Sequence, residues 1–256
     1  MAEVVDRLQV RCLGVDLVIH STDAAVGAEV RRAWRDAEVA SVSPSALSVT
    51  VGLEGGEEAS GPDVTGALHH LSPVVTRRAI EARVGELLML HAAALADPLT
   101  GATAVLIAPS GTGKTTAART LGKRLAYLSD ETAGIDQNGR VLPYRKPLSI
   151  IESGWVKTQV APSSLGLLHT DRECHVSAVL ILKRSLDHGE SPIVAQLQTV
   201  DAIAAIAPEA SYLASTPRPL QRIAEIISMA GGAYLATYGE AETLEPILIE
   251  LLAGGR

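Results

Sequence analysis

The chain has 256 residues, 47% hydrophobic and 20% charged, enough for one sizeable buried core with a small appended domain. A formal charge of -7, with no basic cluster beyond the short RRAWR at 31–35, argues against a nucleic-acid partner. Cys12 and Cys174 lack metal-ligand spacing and read as buried free thiols, so neither a disulfide scaffold nor a zinc site is expected. The first ten residues lack the basic start and apolar run of a secretion signal, and no stretch approaches the roughly 20 apolar residues of a membrane span. The expected location is the cytoplasm, with no membrane partner.

In chain order, LQVRCLGVDLVIH (8–20) alternates as a strand, AAVGAEVRRAWRDA (24–37) has helical spacing, and ALSVTVGL (46–53) is strand again. Together they predict a small α+β amino-terminal domain over 1–71. EGGEEASGPD (54–63) is rich in glycine and acid and reads as a surface loop or linker. SPVVTRRAIEARVGELLML (72–90) pairs Ser with Pro as at a helix start and carries an apolar stripe, so one helix is expected to lead into a second domain over 72–256.

That second region opens with two apolar strands, HAAALAD (91–97) and ATAVLIA (102–108). The stretch IAPSGTGKTTA (107–117) follows directly, and KTTAARTLGKR (114–124) has helix-forming composition. Strand, glycine loop and helix form the setting of a phosphate-binding loop. Backbone N–H groups around Gly111–Thr115 and the positive end of the helix favour phosphate oxygens. Gly113 lets the chain approach without a Cβ, Lys114 reaches the β- and γ-phosphates, and the Thr115 hydroxyl is a ligand for Mg2+. Ala108 stands where the usual pattern has its first glycine. An alanine there costs little unless φ must be positive, and about 1 kcal/mol if it must.

LAYLS (125–129) reads as a strand whose end delivers Asp130 and Glu131 beside the phosphate loop of a parallel neighbour. An acid at that place holds Mg2+ or takes a proton from an attacking hydroxyl. TAGIDQNGRVLPY (132–144) reads as a hairpin about Asn138-Gly139, a pair suited to a type I′ turn. SSLGLL and DRECH (163–175) read as a segment over the site. VSAVLILKRS (176–185) reads as a buried strand ending at Lys183-Arg184, where Arg184 is placed to meet a γ-phosphate. TVDAIAAIAPEASYL (199–213), PLQRIAEIISMAG (219–231) and EAETLEPILIELLAG (240–254) are expected helices, with GAYLATYG a strand.

The run HAAALADPLTGATAVLIAPSGTGKTTAARTLGKRLAYLSDE resembles the kinase core of the HPr kinase/phosphorylase family, which is related to phosphoenolpyruvate carboxykinase. The resemblance is specific over 91–150. It implies an α/β fold with a mixed sheet flanked by helices, and ATP with Mg2+ as cofactors. By the same resemblance His91 is the catalytic-site histidine, and Ser110, Gly111, Thr112, Gly113, Lys114, Thr115 and Thr116 are the nucleotide loop. Asp130 is the base acting on the acceptor hydroxyl. Asp130, Glu131 and Thr115 are the metal ligands. Glu131 stands where the family has a second aspartate, and the family's later glycine-rich signature has no counterpart. The expected activity is ATP-dependent phosphoryl transfer to a hydroxyl, whether of a seryl side chain in a protein or peptide or of a small molecule. A non-catalytic nucleotide sensor of the same fold, and more distantly a carboxykinase-like enzyme, are the competing readings. The acceptor and the oligomeric state stay open.

Overall fold

The computed structural model describes residues 3–53, 58–109, 111–151, 157–185 and 191–254. In chain order the elements are β1 (Asp6–Cys12), β2 (Val15–Ser21), α1 (Ala24–Trp34), β3 (Leu47–Gly52), β4 (Ala59–Ser60) and α2 (Val64–Glu81). There follow β5 (Leu88–Leu90), β6 (Ala92–Ala96), β7 (Ala102–Ile107), α3 (Lys114–Leu121), β8 (Ala126–Ser129), β9 (Ala133–Ile135), β10 (Val141–Leu142), β11 (Leu148–Ile151) and β12 (Lys157–Val160). The last are β13 (His175–Arg184), β14 (Ile193–Gln196), α4 (Thr199–Ile206), β15 (Ala210–Ser211), α5 (Pro219–Met229), β16 (Ala233–Tyr238) and α6 (Glu245–Gly254). This is a mixed α/β protein.

The chain gathers into two compact units, Met1–Arg83 with Tyr144–Leu165, and Val84–Pro143 with Gly166–Arg256. The boundary expected between 71 and 72 falls inside α2. This helix begins at Asp63, whose side chain accepts from Gly66 N, and it runs through Pro73. An interior proline costs about 3 kcal/mol. Burial of Ala67, Leu68, Leu71, Val75 and Ala79, at helical spacing along one face, offsets that cost. The helix expected over 72–90 is therefore shifted toward the amino terminus, and Leu88–Leu90 is strand.

In the first unit β1 and β2 are an antiparallel hairpin, so the single strand expected over 8–20 is two strands. Leu13 and Gly14 turn the chain with φ of 53° and 71°, both left-handed as a tight hairpin turn of the primed type requires. β3 pairs parallel to β2, and β4 parallel to β3. The connecting helix α1 buries Val26, Val30, Ala33 and Trp34. The hairpin of β11 and β12 joins this unit, where α2 packs on β12 and Thr76 Oγ1 lies 2.6 Å from the Tyr144 hydroxyl.

The second unit holds a six-stranded mixed sheet in the order β14-β16-β13-β7-β6-β8 and a four-stranded antiparallel sheet in the order β10-β9-β5-β15. In the larger sheet β7, β13 and β16 run parallel, while β14, β6 and β8 each run antiparallel to their neighbours. One face of it, with Val105, Ile107 and Val179, shares a core with α4, α5 and the smaller sheet through Ile206, Ile223, Ile226 and Leu88. Alternation sends Ala93, Leu95 and Leu106 to the opposite face, where α3 and α6 pack.

Residues 88–96 are one extended stretch that passes from the smaller sheet to the larger at His91. The partner stretch 126–135 runs alongside it: Leu90 pairs with Ala133 and Ala94 with Ser129 in the same register, so Asp130 to Thr132 pass opposite Ala93 to His91.

Three further expectations change. The 199–213 segment is α4, a 3-10 turn at Ala207–Glu209 and β15, because Pro208 cannot continue the helix. In the β9–β10 connection Gly139 has φ 79° but Asn138 is not left-handed, and Asp136 N donates to Arg140 O. The connection is thus a three-residue loop closed by a glycine, not a type I′ turn. In the segment 163–175, Leu168 is tied by backbone hydrogen bonds to Gly122 and Tyr127, at the start of β8. Asp130, beyond the other end of that strand, is on the side of the candidate site, so this segment does not cover it.

Candidate functional site

The larger sheet delivers the loop expected to bind phosphate directly from the end of β7. Gly111 and Gly113 have φ of 80° and 96°, in the left-handed region that a residue with a Cβ rarely adopts. Gly113 is the N-cap of α3, so the chain turns from loop into helix through a conformation that glycine permits. A Cβ on Gly111 would meet nothing within 4 Å, so conformation alone, not crowding, requires glycine there. Ala108 is buried and is not among the described non-glycine residues with positive φ. The missing first glycine therefore leaves no backbone strain.

Lys114 opens α3 and is only 6% exposed. Its ammonium donates to the carbonyl of Ala108 and, at 3.1 Å, to that of Pro109. The lysine thus lies along the root of its own loop. Burial pushes its pKa below the ordinary lysine value, while the negative charges of Glu209, Asp130 and Glu131 pull it back up. Thr112 Oγ1 donates to Pro109 O at 2.6 Å and braces the loop from within. Thr115 is half-buried and Thr116 exposed on the first turn of α3. Ser110, expected as a nucleotide contact, lies outside the described residues.

Asp130 is buried, and its Oδ1 accepts from the Tyr127 hydroxyl at 2.8 Å. Tyr127 itself is completely buried on β8. The turn that presents Asp130 and Glu131 is closed by the Ser129 hydroxyl, which accepts from the N–H groups of Glu131 and Thr132 at 3.2 and 3.1 Å. β8 runs in the same direction as β7, as expected, but β6 lies between them, so the acids reach the loop across one intervening strand. His91 sits in that intervening stretch, half-buried, and its backbone N–H donates to Glu209 O at 2.7 Å.

Arg184 lies on the other flank of the loop, with its Cδ 3.8 Å from where a Cβ of Gly113 would be. Its Nε donates to Gly239 O at 3.0 Å and its guanidinium pairs with Glu240 at 3.4 Å. Beside it is a cavity of about 40 Å³ lined by Gly113, Thr116, Arg184, Tyr238 and Glu240, space for water but not for a nucleoside.

The structure therefore brings the loop after β7 and the Asp130–Glu131 turn after β8 to the same end of one sheet, with His91 at the level of Ala108 and Arg184 beside Gly113. Among the described residues no group of three or more His, Cys, Asp or Glu is arranged to hold a metal. No described helix is long and apolar enough to cross a membrane. Two residues of the site escaped the sequence reading. Tyr127 had no motif around it, and Glu209 was hidden in a stretch read as helix, although Pro208 was the available signal against that reading.

No protein-family model matches the chain, and no curated protein sequence matches it. A solved structure described as the Hpr(Ser) kinase/phosphatase from Coxiella burnetii is similar, with a TM-score of 0.35 and 14% identity, over 64% of this chain and 93% of that one. A likeness of this order carries neither fold nor chemistry, and the site is defined by this chain's own residues.

Proposed function

We propose that this protein is an ATP-dependent phosphotransferase of the HPr kinase type, which moves the γ-phosphoryl group to a hydroxyl of a protein, a peptide or a small molecule. The observation that carries this reading is the buried Lys114 ammonium, set at the first residue of α3 behind two left-handed glycines, at the sheet end where the turn after β8 presents Asp130 and Glu131. A buried cation is costly unless it is hydrogen-bonded and paired with an anion, and the Ala108 and Pro109 carbonyls supply hydrogen bonds but no full negative charge. A triphosphate at the helix start would meet the loop N–H groups, the helix dipole and this lysine together.

In this reading the loop N–H groups from Gly111 to Thr115 bind the phosphates, and Lys114 leaves the Ala108 and Pro109 carbonyls to neutralise the terminal ones. Asp130, oriented by Tyr127, accepts the proton of the attacking hydroxyl, with His91 alongside. Arg184 reaches the transferring group once it parts from Glu240. The donor set fits Mg2+: Thr115, Asp130 and Glu131 offer oxygen only, and this ion commonly takes one or two carboxylates and completes its shell with phosphate and water. When bound, Mg2+ supplies charge neutralisation between the phosphates.

The competing reading, a nucleotide sensor that binds without transfer, draws on the tether of Arg184 to Glu240 and Gly239. Calorimetric titration with ATP-Mg separates nucleotide binding from its absence. Wild type is expected to bind and Lys114→Ala to lose that binding; equal behaviour of the two overturns the assignment. Transfer of label from γ-labelled ATP to a panel of seryl peptides and small alcohols then decides between kinase and sensor, and binding with no transfer across the panel favours the sensor.

A further inference from the structure

At the end of the larger sheet remote from the glycine loop lies a second cavity, of about 310 Å³. Its walls are Asp97 and Thr100 of the β6–β7 turn, His175 and Ser177 of β13, and Leu252 and Ala253 of α6, which packs on β7 and β13. Sites for small molecules begin at about 300 Å³. The whole of β7 separates this cavity from the glycine loop, a span of roughly 20 Å at about 3.3 Å per residue.

The polar walls are held in place without a ligand. β13 carries a bulge between Val176 and Ala178. Val176 and Val179 both belong to the core shared with α4 and α5, so the strand skips one alternation at Ser177, and His175 and Ser177 are both turned toward α6. Ser177 Oγ donates to His175 O at 3.2 Å, and the backbone N–H of His175 donates to Gly101 O at 3.0 Å. Asp97 Oδ1 accepts from the N–H groups of Leu99 and Thr100 at 2.8 Å each, and the Thr170 hydroxyl donates to Pro98 O at 3.0 Å, which fixes the turn.

The charge of the cavity is one-sided. Asp97 brings a carboxylate, and Leu252 and Ala253 stand in the last turn of α6, where the carbonyls carry the negative end of the helix dipole. Among the described residues no lysine or arginine lines it. The hydroxyls of Thr100 and Ser177 both donate and accept. We propose that this cavity is a binding site for a small hydroxylated amine about the size of an amino sugar, with its ammonium toward Asp97 and the end of α6 and its hydroxyls on Thr100 and Ser177. The same charges disfavour an anion, a nucleotide included. The proposal does not rest on the kinase reading.

The test is a titration of the isotopically labelled full chain with glucosamine, followed by amide chemical shifts, with glucose as the twin that has a hydroxyl in place of the ammonium. Saturable shifts confined to 97–102, 175–178 and 251–254 are expected, with a Kd of about 1–10 mM for glucosamine and binding at least about fivefold weaker for glucose. Asp97→Asn keeps the oxygen that accepts from the turn and removes the charge; it is expected to bring glucosamine down to the level of glucose. Ala253→Trp, on an exposed wall, is expected to fill the cavity and abolish both sets of shifts at an unchanged unfolding midpoint. The proposal is overturned if neither sugar gives saturable shifts at these residues up to about 50 mM, if glucose binds wild type as well as glucosamine does, or if the shifts persist in Ala253→Trp. ATP-Mg titrated into a separate sample reads the glycine loop, so the two sites stand or fall independently.

Discussion

The Tyr127 hydroxyl donates to Asp130 Oδ1 across 2.8 Å, and both side chains are buried. Two residues apart from any loop motif are thus joined: a strand tyrosine fixes the carboxylate at the turn after its own strand. A carboxylate that must take a proton in one geometry benefits from a partner that allows few orientations. Tyr127→Phe removes this hydrogen bond and keeps the buried ring. The expected result is a kcat lowered by about tenfold, nucleotide affinity unchanged, and a stability loss of about 1 kcal/mol. Asp130→Asn is expected to lower kcat by about 100-fold or more, as loss of a general base does. Steady-state kinetics with the identified acceptor, beside denaturant unfolding, check both; unchanged turnover in Asp130→Asn removes the base assignment.

The alanine that replaces the first loop glycine yields a second expectation. Ala108 takes no left-handed φ and its side chain is buried in the core that ends β7. Ala108→Gly is therefore expected to leave ATP-Mg affinity within about twofold, while costing about 1 kcal/mol through greater freedom of the unfolded chain. Gly113→Ala is the contrast. Its φ of 96° strains any Cβ, and the expected outcome is a nucleotide affinity lowered by tenfold or so, since each 1.4 kcal/mol of strain carried into the bound loop is a factor of about ten. Calorimetry on the two variants checks the pair.

The first unit carries its own pH dependence. His20 on β2 lies opposite Arg7, and burial first, then the Arg7 charge, lower its pKa from the ordinary 6.5. The unfolded chain then binds more protons than the folded one just below that pH, so stability is full above about 6.5 and declines as pH falls toward the lowered folded value. Asp6 and Asp16 behave differently. Hydrogen bonds from Arg31 and Arg11 hold their carboxyls below the ordinary 3.8, so their contribution persists until more acid conditions and is lost below that value. His20→Gln is expected to flatten the decline just below pH 6.5 and leave the more acid limb intact. Thermal unfolding midpoints recorded between about pH 7 and pH 3 separate the two windows.

Much of the larger sheet was legible because its strands are short apolar runs bounded by turn residues: β6, β7, β8, β13 and β16 fall within one or two residues of the expected spans. The loop was legible because its glycines, lysine and threonines act through local backbone geometry, which sequence spacing encodes. What was hidden depends on partners far along the chain. The start of α2 lies before Pro73 because buried contacts of its first turns outweigh an unfavourable residue, and no local pattern weighs that balance. Residues 144–165 join the first unit through contacts such as Tyr144 with Thr76, which no spacing rule reports. The placement of Glu209 beside His91 exists only because two sheets part at that residue.

Arg184 presents the sharpest contrast between the kinase and sensor readings. It is exposed enough to move, its pair with Glu240 is long at 3.4 Å, and surface pairs of this kind contribute about 1 kcal/mol or less. Such a tether is weak beside the attraction of a transferring phosphoryl group with its spread negative charge. Glu240→Gln, which frees the guanidinium, is accordingly expected to leave kcat unchanged or raise it by about twofold, and to alter stability little. Arg184→Ala is expected to lower kcat by about 100-fold at unchanged ATP-Mg affinity, the pattern of a contact made in the transition state alone. Arg184→Lys, a point charge without the planar fork, is expected to recover only part of that loss. If Arg184→Ala turns over as fast as wild type, the arginine is a strand-end residue held by Glu240, and phosphoryl charge is neutralised from the lysine side alone.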